Sequence, residues 1–167
     1  NTIVFFTGDN GGQDRFRSAD KPRGFFGPNV DPRTGVEFRG GKGNLYEGGL
    51  RIPYLVRWPG RIAAGQVSDL IFYQPDVLPT LSELCGAAIP GDVDGLSFLP
   101  TLLGRGEQRR HGFLYWEYGN QFAVRKGDWK AIKDRKSDRW ALYDVVRDVS
   151  ETTDVAAGNG DLLGELV

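Results

Sequence analysis

The sequence has no methionine, a single cysteine and a single histidine among its 167 residues. Because Cys85 is the lone cysteine, an internal disulfide is excluded. A lone cysteine is compatible with both a cytoplasmic and a periplasmic protein, so the cysteine content leaves the compartment open. No apolar run is long enough to span a bilayer, and no segment has the pattern of a signal peptide.

An excess of charge of one sign is also missing. Lys and Arg number 21, Asp and Glu number 22, and the net charge is −1. This balance gives no indication of a nucleic-acid partner or of an anionic membrane surface. Hydrophobic residues make up 40% and charged residues 26%, which is ordinary for a globular domain with its own core. We therefore expect neither nucleic acid nor membrane among the partners.

The chain opens on an apolar segment at residues 2–7, which predicts a strand buried on both faces of a parallel sheet. A second strand is predicted at residues 52–58, a helix at residues 74–86 and a short helix near residues 101–103. Because a domain rarely begins inside its core sheet, we expect the chain to be a fragment of a longer protein. Its first strand should then expose apolar surface or an unpaired edge unless another chain covers it.

After residue 103 the sequence pattern changes to short strand-like segments with short polar connections, which predict an antiparallel meander. The segments are Phe113–Glu117, Gln121–Arg125, Trp129–Lys133 and Trp140–Asp144. A helix is predicted at residues 161–167. The expected fold class is α/β, with a partial α/β layer at residues 1–103 followed by a small four-stranded antiparallel sheet with a C-terminal helix at residues 104–167.

Asp9 and Asn10 stand where the first predicted strand ends, and in α/β sheets ligands bind beyond the carboxyl ends of the strands. A carboxylate beside a carboxamide offers two hard oxygen donors, which suit Ca²⁺ or Mg²⁺ better than Zn²⁺. Asp-Asn-Gly is also a common turn tripeptide, so a metal site and a simple Asx-turn both stay open. A long irregular loop is predicted to follow at residues 13–44, of a kind that is usually functional or mobile.

The glycine-rich segment Gly40–Gly49 is the second candidate site. Glycines on both sides of Lys42 let the backbone approach a ligand closely, and a lysine is a compact point charge suited to a tetrahedral oxyanion. A solvated glycine-rich loop is the alternative. Glu47 either orients Lys42 or holds the turn.

Two motifs, taken in order, resemble the sulfatase family of the alkaline phosphatase superfamily. They are Phe-Thr-Gly-Asp-Asn-Gly at residues 6–11 and Gly-Lys-Gly-Asn-Leu-Tyr-Glu-Gly-Gly-Leu-Arg-Ile-Pro at residues 41–53. Further segments extend the resemblance over nearly the whole chain: Arg57–Gly60, Asp76–Leu81, Asp94–Ser97, Ala123–Lys130 and Leu142–Asp144. The resemblance implies that residues 1–103 are the C-terminal part of an alkaline-phosphatase-like catalytic domain, and that the activity is sulfuric ester hydrolysis.

The same resemblance implies roles for individual residues. Asp9 and Asn10 would be ligands of an active-site Ca²⁺, and Lys42 would contact a sulfate oxygen as a catalytic and substrate-binding residue. The substrate would be a sulfated small molecule or glycan, and a periplasmic or secreted location is typical of the family. Superfamily members that act on phosphate with two zinc ions tend to place His after the Asp, so Asn10 favours the sulfatase branch.

The chain departs from the family at the nucleophile. Family sulfatases use a formylglycine made in a Cys/Ser-x-Pro/Ala-x-Arg motif, and Cys85 is followed by Gly-Ala-Ala-Ile, with Ile89 where Arg is required. Cys85 lies on the apolar side of the predicted helix and is interpreted as a small core residue. We therefore expect the formylglycine in a missing N-terminal part, and little or no turnover by this chain alone. His111, at the start of the second segment, is interpreted as a surface or interdomain residue rather than a catalytic one.

Two other functions stay open from the sequence. One is a phosphodiesterase or phosphonate hydrolase of the same superfamily, against which Asn10 argues. The other is a non-catalytic module that binds sulfated glycans, suggested by the arginines of residues 13–41 and by the aromatic residues between Phe113 and Trp140.

Overall fold

The computed structural model describes residues 2–13, 29–89, 91–134 and 137–167. Residue contacts divide the chain into two compact units. The first unit combines Asn1–Phe6 with Tyr54–Gly112, and the second combines Thr7–Pro53 with Phe113–Val167. Each unit therefore takes two separate stretches of sequence. The linear domain division between residues 103 and 104 stays a prediction.

The first unit contains a two-stranded sheet of β1 (Val4–Thr7) and β2 (Tyr54–Arg57). Both predicted strands are confirmed, each shorter than expected. The prediction that the first strand is buried on both faces is wrong, because Val4, Phe6 and Thr7 are exposed. The Tyr54 ring holds the unit together by edge-on contacts, with ring centroids 4.6 Å from Phe72 and 5.9 Å from Phe98. Such edge-to-face contacts add to the gain from burying the rings.

The two strands leave apolar side chains in solvent. Val4 is 50% exposed, Phe6 67% and Leu55 58%. Val4 and Phe6 are two residues apart, so they lie on the same face of β1. The expectation that the first strand would expose apolar surface is confirmed.

The predicted helix at residues 74–86 is confirmed as a 3₁₀ turn, Gln74–Asp76, that continues into α2 (Val77–Cys85). Gly86 ends the helix at φ 66, a left-handed backbone that glycine adopts without steric cost. A short helix, α3 (Leu99–Leu103), follows and confirms the prediction near residues 101–103.

The interpretation of Cys85 as a core residue is wrong, because its side chain is exposed. The residues that α2 buries are Pro79, Thr80 and Ser82, in its first two turns. Thr80 is fixed there by a 2.7 Å hydrogen bond from its hydroxyl to the Asp76 carbonyl. Cys85 is the last residue of the helix, beyond this buried part.

His111 belongs to a buried hydrogen-bond group centred on Asp76, which is 1% exposed. Its Nε2 lies 2.8 Å from Asp76 Oδ1. The same carboxylate accepts hydrogen bonds from the backbone N–H groups of Tyr73, at 3.0 Å, and Leu96, at 2.7 Å. Asp76 therefore ties three separate parts of the first unit together. The interpretation of His111 as a surface residue is wrong, because its side chain is only 12% exposed, and the interdomain alternative stays a prediction.

Replacing Asp76 by alanine should lower the free energy of unfolding by about 2–3 kcal/mol, because buried backbone donors lose their acceptor. Glu83→Ala is the matched control, since Glu83 is an exposed carboxylate on α2. Urea unfolding of both variants measures the difference. Equal stability of the two variants would contradict a structural role for Asp76.

The second unit contains a four-stranded antiparallel sheet in the order β3-β4-β5-β6. Its strands are β3 (Leu114–Tyr118), β4 (Gln121–Lys126), β5 (Trp129–Lys133) and β6 (Ala141–Asp144). The terminal helix α4 spans Gly160–Leu166. The predicted meander, the predicted terminal helix and the α/β fold class are confirmed.

Each face of this sheet packs on a different segment. One face buries Val124, Ala131 and Leu142 with Leu166 of α4. The other face, which we call the inner face, packs Ala123, Ile132 and Tyr143 against Leu45 and Tyr46. A one-turn helix that the sequence did not predict, α1 (Glu47–Leu50), follows directly. The glycine-rich segment is thus held on the inner face of the sheet.

No helix in the described ranges combines the length and apolar character that a membrane crossing requires. Of the long loop predicted at residues 13–44, residues 14–28 lie outside the described residues. The part that follows them forms an isolated bridge between Val30 and Glu37.

Candidate functional site

The two sequence motifs lie side by side in the second unit. The backbone N–H of Lys42 donates a 2.8 Å hydrogen bond to the Gly12 carbonyl. The N–H of Gly11 donates a 2.9 Å hydrogen bond to the Gly49 carbonyl. The segment that follows Asp9 and Asn10 is therefore paired with the segment that carries Lys42, although about thirty positions separate them in the sequence.

Glycine is required at this contact by space. A Cβ atom on Gly11 would lie 2.6 Å from the Cα of Gly49 and would overlap the Gly48 carbonyl oxygen. A Cβ on Gly49 would lie 2.7 Å from the Gly41 carbonyl oxygen. These backbones approach so closely that any side chain would separate them.

Asn29 fastens the same contact and was missed in the sequence. Its side-chain amide donates to the carbonyl of Gly12 at 3.0 Å and to that of Gly48 at 3.1 Å. A longer contact of 3.4 Å joins it to the Gly40 carbonyl. The residues around Asn29 in the sequence indicate a turn. They carry no information on a hydrogen-bond partner ten to twenty positions away.

The candidate side chains are accessible. Asp9 and Lys42 are exposed and Asn10 is half-buried. Within the described part of the chain, neither the Asp9 carboxylate nor the Lys42 ammonium forms an ion pair. Their charges are therefore not neutralised by a described neighbour and can act on a ligand.

The oxygen donors of Asp9 and Asn10 are of the hard type that Ca²⁺ prefers. Among the described residues, no group of three or more His, Cys, Asp or Glu side chains is placed to hold a metal ion. Ca²⁺ takes 6–8 oxygen ligands, so two adjacent donors fit as part of a ligand set and require further donors from elsewhere.

Glu47 holds the turn instead of orienting Lys42. Its carboxylate, 2% exposed, lies 3.0 Å from Lys130 Nζ through Oε1 and 2.6 Å from Arg51 Nε through Oε2. Lys130 projects from the inner face of the sheet and is completely buried. A second carboxylate, Glu151, lies 2.8 Å from the same ammonium and is also completely buried. We call Glu47, Lys130 and Glu151 the buried ionic cluster.

The pKa values of the two carboxyls in this cluster are shifted in opposite directions. Burial alone would raise the pKa of Glu47, but Lys130, then Arg125 and Arg51, outweigh it, and the pKa is lowered. Burial raises the pKa of Glu151, and the ammonium of Lys130 offsets this only in part. Glu47 keeps its charge because three cations face it, whereas Glu151 faces one cation, Lys130, which it shares with Glu47.

The other sequence candidates lie in the first unit. His111 is occupied by Asp76, and Cys85 is an exposed residue at a helix end. The candidate site therefore stays the set predicted from the sequence, Asp9, Asn10 and Lys42, which lie on two loops of the second unit.

Comparison with known proteins places these elements in a family context. The sequence model of the family described as N-sulphoglucosamine sulphohydrolase, C-terminal, matches residues 41–161. Steryl-sulfatase of Mus musculus is 40% identical over 139 residues, which are 78% of this chain and 21% of that protein. N-acetylgalactosamine-6-O-sulfatase of Bacteroides thetaiotaomicron is 32% identical over 182 positions, covering 99% of this chain and 35% of that protein.

The fold comparison agrees. The solved structure of Ps i-CgsB aligns with a TM-score of 0.75 and 28% identity over 99% of this chain and 35% of that one. The chain therefore spans between 21% and 35% of the length of the curated relatives named here.

Proposed function

Because this chain belongs to the sulfatase family, as a C-terminal portion, we propose that it supplies one half of the active site of a sulfuric ester hydrolase. The observation that carries the proposal is the pairing of the two motif loops through the Lys42 N–H and the Gly12 carbonyl at 2.8 Å. This pairing puts a cation-bearing loop beside the loop with two oxygen donors. A metal-assisted site for an anionic ester combines a cation that faces the ester with oxygen donors that hold the metal ion.

Lys42 is proposed to contact a sulfate oxygen. Its ammonium has no described counter-ion, so it is available to the charge that develops on the sulfuryl oxygens or on the leaving group. A lysine contributes this as a compact, strongly hydrated point charge at the end of a flexible stem. The glycines that flank it leave room for the substrate.

Asp9 and Asn10 are proposed as two of the ligands of a Ca²⁺ ion. Their role would be to hold that ion at the end of β1, beside the Lys42 loop. A bound Ca²⁺ would supply electrostatic stabilisation of the sulfate oxygens. The remaining ligands and the formylglycine are proposed to come from the part of a sulfatase that this chain does not contain.

Sulfated small molecules or glycans are the proposed substrates. The relatives that match the chain are named for sulfated steroid and amino-sugar esters. Ps i-CgsB was also solved with k-i-k-neocarrahexaose, an oligosaccharide.

The proposed partner is the rest of the sulfatase. Phe6 and Leu55, 67% and 58% exposed, leave an apolar strand surface that association would remove from water. Burying it is favourable by about 25 cal/mol per Å². This occupant fits a chain that spans 21% and 35% of the two curated relatives named above. We call the assembled enzyme the complete sulfatase.

Asp9→Ala tests the proposal in the complete sulfatase with nitrophenyl sulfate. The substitution should raise the Ca²⁺ concentration for half-maximal activity by about tenfold or more, since removing even a group that only supports a metal ligand costs that much. Asp138→Ala, at an exposed aspartate, is the control and should leave it unchanged. The isolated chain should release no nitrophenol.

Other outcomes would identify other functions. Faster turnover of nitrophenyl phosphate than of the sulfate would favour the phosphodiesterase or phosphonate hydrolase alternative. Full turnover by the isolated chain would overturn the half-site. Binding of sulfated glycans by the isolated chain, with no activity in any assembly, would favour the binding module.

A further inference from the structure

Both ends of the loop that carries Lys42 are bound to one residue, Glu151. At the first end, Arg39 NH1 donates a 2.8 Å hydrogen bond to the Glu151 carbonyl. At the other end, the Glu47 N–H donates a 2.6 Å hydrogen bond to Glu151 Oε2. The seven residues between Arg39 and Glu47 are therefore held at both ends by Glu151, a residue of the C-terminal segment.

The surrounding contacts hold Glu151 in a conformation that is otherwise unfavourable. The residue is completely buried, and its backbone has φ 52, a left-handed conformation that is unfavourable for a residue with a side chain. Such strain persists only where surrounding contacts determine it. Here the Glu151 N–H donates to the Asp148 carbonyl at 2.9 Å, and the carboxylate lies 2.8 Å from Lys130.

The anchor at Arg39 is reinforced by aromatic rings. The Arg39 guanidinium lies 4.0 Å from the centroid of the Tyr46 ring and donates to the Tyr143 hydroxyl at 3.1 Å. Within the loop, Gln121 of β4, 2% exposed, donates to the Gly43 carbonyl at 3.3 Å. The inner face of the sheet thus contacts the loop at its ends and beside Lys42.

From this geometry we propose that Glu151 is a positioning residue that fixes the Lys42 loop for catalysis through Arg39 and Glu47. The inference rests on the proposed function of Lys42. It assigns to the C-terminal segment a task beyond stability: setting where the ammonium of Lys42 stands relative to the loop of Asp9 and Asn10.

Hydrogen exchange of the full chain tests the structural step without any activity. In Glu151→Ala, the amide of Lys42 and those of residues 43–46 should exchange roughly tenfold faster, because the loop opens locally. Glu151→Gln keeps an oxygen acceptor for the Glu47 N–H and should restore most of the protection. Glu165→Ala, at an exposed glutamate of α4, is the control.

Unchanged exchange at residues 42–46 in Glu151→Ala, or faster exchange spread equally over β3 to β6, would overturn the inference. If Glu151→Ala does not fold, Arg39→Met removes the first anchor and leaves the buried carboxylates in place. It should loosen the same residues, and normal protection in that variant would also overturn the inference.

A double-substitution cycle in the complete sulfatase tests the functional step. Glu151→Ala should lower kcat about tenfold or more with KM little changed, since a small misplacement of a positioning group costs rate. Added to Lys42→Ala, it should cause no further loss, because both changes remove the same interaction. If the kcat losses of the two single variants multiply in the double variant, the positioning role is overturned and the proposed function stays intact. Wild-type activity of Lys42→Ala alone would instead overturn the proposed function.

Discussion

Replacing Lys42 by alanine in the complete sulfatase should lower kcat/KM by about 10²–10³-fold, the usual loss when one donor to a developing oxyanion is removed. The side chain is exposed and makes no described ion pair, so the substitution should leave the free energy of unfolding unchanged. Loss of activity at unchanged stability separates a chemical role from a structural one. Steady-state kinetics with nitrophenyl sulfate, together with urea unfolding, measure both quantities.

Lys126→Ala is the matched control for Lys42. Lys126 is an exposed lysine of the same unit, with a 52% exposed side chain that pairs with Glu165 at 3.3 Å. Its removal should leave kcat/KM within about twofold of wild type, as surface substitutions generally do. Equal activity of the Lys42 and Lys126 variants would mean that Lys42 is not the sulfate-binding cation.

The elements of the fold were largely predictable because they depend on local patterns. The four strands of the meander have alternating or continuous apolar residues and short connections, and each was found within two residues of its prediction. Helix α2 was marked by helical spacing and by Gly86, whose left-handed φ ends it. Patterns of this kind are written in neighbouring residues.

Long-range contacts were not predictable in the same way. Cys85 was assigned to the core from its spacing with other apolar residues, but α2 buries Thr80 and Ser82 and leaves Cys85 exposed. The Thr80 hydroxyl is buried where it accepts a 3.0 Å hydrogen bond from the backbone N–H of Phe98, 18 positions away. The partners of Asn29, the carbonyls of Gly12 and Gly48, are equally distant, 17 and 19 positions away in the sequence.

The sequence motifs predicted where the candidate site lies, but they did not predict the contacts that surround it. Spacing in the sequence left the role of Glu47 undecided between orienting Lys42 and holding the turn. The structure gives Glu47 a partner 83 positions away, Lys130, which no local pattern connects to it. Buried charges need such partners, because an unpaired charge in the interior is costly.

The buried ionic cluster is therefore expected to dominate the stability of the second unit. Lys130→Met should lower the free energy of unfolding at pH 7 by about 3–5 kcal/mol, since it leaves two buried carboxylates without their shared cation. Lys133→Met is the control, because Lys133 lies on the same strand, β5, but on the opposite face of the sheet. It should cost less than about 1 kcal/mol.

The pH dependence of that loss distinguishes lost charge pairing from lost packing. In wild type the lowered pKa of Glu47 means that its stabilisation is present above the unfolded pKa and is lost as pH falls. Without Lys130 the folded pKa of both carboxyls should rise. Glu47 still faces Arg125 and Arg51, whereas Glu151 loses its cation, so the variant is penalised mainly as pH rises through the raised pKa of Glu151. The stability gap between wild type and Lys130→Met should therefore shrink as the pH is lowered from 7 to about 4, near the unfolded glutamate pKa. Urea unfolding across this range measures the gap, and a gap that stays constant would assign the loss to packing of the lysine stem instead of to its charge.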